Sequence, residues 1–199
     1  MDAFNLLKAD HRKVAELFEQ LESASGKRKL DAFAKIKTEL DLHAHIEEKI
    51  FYPALEKPRE THDLTLEAYE EHKQVKTLLR QLSRARTASE EWQAKAKVLQ
   101  ENVEHHVDEE ENELFKKAGS VLSDEEIEEL GMRLEEEKAR KSSTGSKRAG
   151  KAANKTAGTK KATARAAKRV SSSQTSTKSK STSKTTKKSR SRKSGAKKR

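Results

Sequence analysis

The chain has 199 residues, of which 39% are charged and only 4% aromatic, too polar a mixture for one core along its whole length. It has no cysteine, which excludes disulfides, thiolate metal sites and cysteine nucleophiles and fits a reducing, cytoplasmic setting. The net charge of +11 conceals two opposite halves: all 33 acidic residues lie at or before Glu137 and, against 21 basic ones, leave a head of −12, whereas Lys138 to Arg199 carry 23 Lys or Arg and no acid.

No apolar run approaches membrane-spanning length. The opening "MDAFNLLKADHRKV", with Asp2, Lys8, Asp10 and Arg12, does not read as a signal peptide. A first helix is predicted from about Asp2 to Ser23, stopping near Gly26. A second spans about Lys29 to Leu55 and ends around Pro53 and Pro58. A third covers about Asp63 to Arg86. Thr87 and Glu90 form a capping-box pattern that opens a fourth, lasting to about Ala118 before Gly119. Ser123 and Glu126 repeat the pattern ahead of a short acidic fifth helix ending near Arg140. No segment carries a strand signal. Four helices of similar length on short links predict an all-α, up-down-up-down four-helix bundle over residues 1–118, with a short acidic helix and connection over 119–140 and a tail over 141–199.

Helices in a bundle bury positions spaced alternately three and four apart. In the first helix these are Phe4, Leu7, His11, Val14, Phe18 and Leu21. In the second they are Phe33, Ile36, Leu40, His43, Glu47, Ile50 and Ala54. The third supplies Ala68, His72, Val75, Leu79 and Leu82. The fourth supplies Trp92, Ala96, Leu99, Val103, His106, Glu110 and Glu113. Each apolar stripe thus carries one histidine, and two stripes add a glutamate one turn later. Neighbouring residues point about 100° apart, so His45 and His105 fall off the stripes.

A lone stripe histidine is more often a hydrogen-bonded core residue than a ligand, and "DEEENE" alone reads as a solvated face. Four histidines in register with two glutamates read differently, because buried carboxylates are costly unless paired or metal-bound. Six N/O ligands suit iron, manganese or zinc, and two metals bridged by the carboxylates would satisfy every group. Tyr52, Trp92 and Phe115 read as packing residues, and His62 as a surface or cap residue.

The segments "LLKADHRKVAELFEQL", "LHAHIEEKIFYPAL", "EEHKQVKTLL" and "VEHHVDEEENELF" resemble the successive motifs of the hemerythrin-like, HHE cation-binding family over about residues 2–118. The resemblance implies a four-helix bundle with a non-haem di-iron centre, whose ligands would be His11, His43, Glu47, His72, His106 and Glu110. Two positions depart from the oxygen-carrying members. Lys76 stands where a second third-helix histidine is expected, and Glu110 lies four residues after His106, where an aspartate at five is expected; Glu111 stands at five. A centre with fewer histidines leaves one metal more open to water, peroxide or another small ligand. Glu48, Glu111 and His105 are candidates for a missing ligand or are solvent-exposed. Lys76 either snorkels out of the bundle or pairs with a carboxylate of the centre.

The tail has one large apolar residue, Val170, and no aromatic, so by itself it is expected to be disordered. Its charge predicts salt-dependent, largely sequence-independent binding to polyanions, duplex DNA above all. "KKATARAAKR" and "KSTSKTTKKSRSRKSGAKKR" are similar to the tails of linker histones and bacterial histone-like proteins. RNA, or the acidic head itself, are the other possible partners. The expectation is a nucleoid-associated protein (nuclear in a eukaryotic host) that binds or senses oxygen, peroxide, nitric oxide or iron. The alternatives are an enzyme that turns over peroxide or nitric oxide, and a structural DNA-associated protein whose metal holds the bundle together.

Overall fold

The structure is a computed structural model, and it describes residues 1–85, 87 and 89–143. The predicted tail therefore lies, from residue 144 onward, outside the described residues. Every regular element among the described residues is helical, and no described helix is long and apolar enough to cross a membrane.

Helix α1 (Ala3–Ser23) starts at Asp2, whose side chain accepts from the Asn5 backbone at 2.8 Å. Gly26, at φ 55°, turns the chain into the next helix in a conformation that costs a side chain dearly, so α2 begins there and not at Lys29. Helix α2 is α-helical over Gly26–Ile46, passes through a π turn at Glu47–Phe51, and is α-helical again over Tyr52–Leu55. It thus continues past Pro53. Helix α3 (Arg59–Arg84) starts four residues earlier than predicted, because Pro58 itself caps it and receives the Thr61 and His62 amides at 3.3 and 3.1 Å. Helix α4 is α-helical over Glu90–Glu109, π over Glu110–Leu114 and α-helical over Phe115–Val121. Its cap is Ser89, which accepts from the Trp92 amide at 3.1 Å, and not Thr87. Gly119 does not end α4; it is an exposed helical position. Helix α5 covers residues 124–143 and has the predicted capping box: Glu126 N–H donates to Ser123 Oγ at 3.2 Å, and Ser123 N–H to Glu126 Oε2 at 2.9 Å.

The two π turns shift the buried register. Each adds a residue to a helical turn, with the Tyr52 amide reaching Glu47 O and the Phe115 amide reaching Glu110 O. Beyond them the stripe moves on: Ala54 is half-buried and Glu113 exposed, while Phe51, Leu55, Leu114, Phe115 and Ala118 are buried. Upstream of the turns the predicted stripe holds, except that Phe4 is half-buried.

The apolar core forms two clusters. One joins Leu6, Leu7, Ile46, Phe51 and Phe115 to Ile127, Leu130 and Leu134 of α5. The other joins Val14, Leu40, Val75 and Val103 to Phe33 and Trp92. Trp92 is a packing residue, edge-on to Phe33 at 5.5 Å, and donates Nε1–H to Leu82 O at 3.1 Å. Along each of α1 to α4, the position between the two clusters is held by a histidine.

Candidate metal centre

His11, His43, His72 and His106 are each buried, and Glu47 and Glu110 are 0% and 2% exposed. The four rings turn their Nε2 atoms toward one another. His11 and His43 approach to 3.1 Å through Nε2, and His72 and His106 to 3.2 Å. Glu110 Oε2 lies 3.2 Å from His11 Nε2, while Glu47 Oε2 lies 3.1 Å from His43 Nε2 and 3.4 Å from His72 Nε2. Two overlapping groups result: His11, His43, Glu47 and Glu110, and Glu47, His72 and His106, with Glu47 common to both.

The outer nitrogens fix the chemistry of the inner ones. His11 Nδ1 lies 2.7 Å from Glu111, His72 Nδ1 3.1 Å from Glu48, and His106 Nδ1 2.7 Å from Glu71. A neutral imidazole that donates Nδ1–H to a carboxylate presents a lone pair at Nε2. His43 is looser, with Asp10 at 3.9 Å from its Nδ1, too far for a hydrogen bond; Asp10 is instead engaged by Lys138 of α5. So Nε2 lone pairs and carboxylate oxygens crowd one small volume. All four oxygens of Glu47 and Glu110 are buried without a hydrogen bond. Acceptors facing acceptors in a dry interior are reconciled by positive charge, supplied by protons or by a metal ion. The residues present therefore fit a metal pair: six N/O donors, with a shared carboxylate.

The electrostatics of the layer show how strongly these groups act on one another. Burial and the charge of Glu110 push the Glu47 carboxyl well above its ordinary range. Glu110, buried as deeply, is held at about 2 by His11, His106 and His43, so the pair resists carrying two negative charges. Burial would lower His11, but Glu110, Glu47 and Glu111 outweigh it and hold it up at about 9. Burial, against the pull of Asp10, takes His43 down to about 4. Uptake of a metal here would displace the proton that His11 otherwise holds.

All six predicted positions are thus brought together. The bland alternative for Glu48 and Glu111, exposure to solvent, does not hold, since both orient histidines. His105 is 65% exposed and outside the cluster, and His45 turns away to Glu137 at 2.7 Å. Lys76 pairs with Glu48 at 2.5 Å, on the same oxygen that faces His72. His62 is exposed against Glu56 O, as a cap residue would be. Tyr52 was read as packing, but its hydroxyl lies 3.4 Å from His72 Nε2. Asp10 and Glu71 went unnoticed because each precedes a histidine on its own helix; Glu71 holds His106 of the next helix, whereas Asp10 stands 3.9 Å from His43. An internal repeat would have revealed them: Asp10-His11 followed by His43, Glu47 and Glu48 matches Glu71-His72 followed by His106, Glu110 and Glu111. Tyr52 and Phe115 occupy equivalent places after the two π turns, so the phenol stands on one side of the centre only.

An all-helical bundle with this donor set defines a cation-binding protein. The chain belongs to the hemerythrin family: the Hemerythrin HHE cation binding domain matches residues 2–118. It is 33% identical over 138 residues to an uncharacterized protein of Mycobacterium tuberculosis, covering 66% of this chain and 81% of that one. It is 31% identical over 130 residues to a DNA nickase of Nostoc sp., covering 65% of this chain; the chain matches only 37% of that protein's length. A crystal structure of a hemerythrin HHE cation binding domain-containing protein from Mycobacterium kansasii aligns with a TM-score of 0.61 and 29% identity, covering 70% of this chain and 89% of that chain.

Proposed function

We propose that His11, His43, Glu47, His72, His106 and Glu110 would hold a di-iron centre. This centre binds and senses a small ligand of the oxygen, peroxide or nitric oxide kind. The observation that carries the reading is the facing set of lone pairs, in which every oxygen of Glu47 and Glu110 is buried and unpaired. Iron, when bound, supplies the redox chemistry and the affinity for such ligands. The chain supplies the rest. Glu48, Glu71 and Glu111 fix the rings, and Tyr52 brings a buried hydroxyl to one side. Burial and the charges of Glu110 and Glu47 raise Tyr52 well above its ordinary value, so it remains a phenol that can donate a proton. A gap of about 20 Å³ between the histidines is walled by Val14, Leu40, Val75, Val103 and Val107, so the space beside the rings is small and apolar.

The basic segment over residues 141–199 tethers this head to DNA through phosphate neutralisation, placing a sensor of oxidants where they do harm. The name of the Nostoc relative, a DNA nickase, is in keeping with a place at DNA. The test is metal analysis of full-length protein purified without chelator, followed by absorption spectra under oxygen, peroxide and nitric oxide. Two irons per chain and reversible ligand spectra are expected. Protein that takes up no iron overturns the centre, and steady turnover of peroxide replaces sensing by catalysis.

A further inference from the structure

Among the described residues a third group of side chains of metal-ligating type lies outside the buried centre: Glu71, His105 and Glu109, each offering an atom within 4.8 Å of the others. His105 Nε2 stands 3.4 Å from Glu109 Oε1 and 3.8 Å from Glu71 Oε1. The group is reachable from solvent, since the His105 and Glu109 side chains are 65% and 32% exposed. Glu71 belongs to both places, because its other oxygen, Oε2, receives His106 Nδ1 at 2.7 Å.

Behind this group is a gap of about 10 Å³, lined by Glu71, Glu109, His106 and Glu110 with Ala68 and Leu114. It is about the size of one water-sized sphere. At its inner end is Glu110, 2% exposed and with both oxygens unpaired. The π turn that begins at Glu110 builds the inner wall. The same gap is thus lined by Glu71 and Glu109 of the outer group and by His106 and Glu110 of the buried one.

The internal repeat shows that this arrangement is not a by-product of the bundle. The places equivalent to His105 and Glu109 in α2 are taken by Leu42 and Ile46. The residue equivalent to Glu71 is Asp10, and its outer side is closed by Lys138 of α5. One face of the centre is sealed by apolar groups and a cation, and the other is lined by ligands and negative charge.

We propose that Glu71, His105 and Glu109 form a surface port that captures a divalent cation and passes it to Glu110 and His106. The port rests on the reading of the buried centre as a metal site. A cation captured there exchanges water for carboxylate and imidazole donors in steps, instead of being stripped of water at once, and the acidic mouth raises its local concentration.

The experiment follows Co(II) binding to the chelator-stripped full chain by stopped-flow absorbance, in wild type, H105A/E109Q, E109K and the charge-matched control E91Q at the far end of α4. Both port variants are expected to load about tenfold more slowly or worse, E109K the slowest, and to reach the wild-type stoichiometry. The altered side chains are partly exposed, and circular dichroism checks that the variants are folded. Port variants that load at the wild-type rate, or an E91Q chain slowed as much as they are, overturn the port. Port variants that load slowly and also end with less metal than wild type overturn it as well, making the group part of the centre. A wild-type chain that takes up no Co(II) overturns the centre, and the port with it.

Discussion

Replacing Glu47 by Gln inverts the stability order of the protein according to whether metal is present. Glu47 is fully buried, its oxygens have no hydrogen bond, and its carboxyl is raised well above 4.5 by burial and by Glu110. In the unfolded chain it ionises near its ordinary value of 4.5. A group whose folded value is raised costs nothing below the unfolded value. Its contribution is lost as the pH rises from there toward the folded value. The loss is about 1.4 kcal/mol per pH unit, or about 3 kcal/mol two units above that value. Gln is close in shape and carries no charge, so it removes this slope. The other shifted groups are present in both chains, and as long as Glu47 stays protonated in the folded chain it exerts no charge on His11, so their contributions cancel in the difference. In chelator, urea unfolding of wild type and Glu47→Gln should give nearly equal stabilities at pH 4.5. The variant should gain by about 1.4 kcal/mol per unit above it. With metal the order reverses, because the variant lacks the ligand common to both halves of the centre and forfeits the binding contribution. A gap that stays flat with pH, or a variant less stable than wild type throughout in chelator, refutes the argument that Glu47 is an unpaired buried acid.

His43→Ala with His106→Ala should abolish most metal binding at equilibrium, and His45→Ala with His105→Ala should preserve it, as measured by metal content after dialysis. A Cβ on Gly131 would lie 2.4 Å from Met1 O and 2.7 Å from Asp2 C, backbone atoms that cannot swing aside. Gly131→Ala should therefore cost about 1–3 kcal/mol and loosen α5 in hydrogen exchange. At Gly119 the nearest neighbour of a Cβ is Phe4 Cε2 at 3.8 Å, so Gly119→Ala should raise stability by about 0.5–1 kcal/mol, seen as a higher Tm. Truncation after Ser143 should leave a folded, metal-loaded head that no longer shifts duplex DNA in gels. Truncation after Glu137 removes Lys138 from Asp10 and should lower Tm further; equal DNA binding by the shortened and full chains would sink the tether.

The bundle and the inward histidines were legible because they depend on local periodicity. His11, His43, His72 and His106 sit on stripes that the 3.6-residue turn lays down whatever the neighbouring helices do. The capping box at Ser123 is local for the same reason. Other features were not local. Thr87 and Ser89 are both acceptable caps by type, and the chain path into Trp92 selected Ser89. Ala54 and Glu113 fell off the buried face because the π turns at Glu47 and Glu110 add a residue there, and no composition rule announces such a turn. Glu48, Glu71 and Glu111 have meaning only across helices, since each holds a histidine of another helix: His72, His106 and His11. The sequence by itself determined which side chains would be buried together as a charged layer. Only the tertiary structure decided which carboxylates would hold the rings, that Tyr52 would stand on one side of the centre, and that Lys138 would close one face while Glu109 and His105 leave the other open, because those contacts depend on how separate helices are set against each other in space.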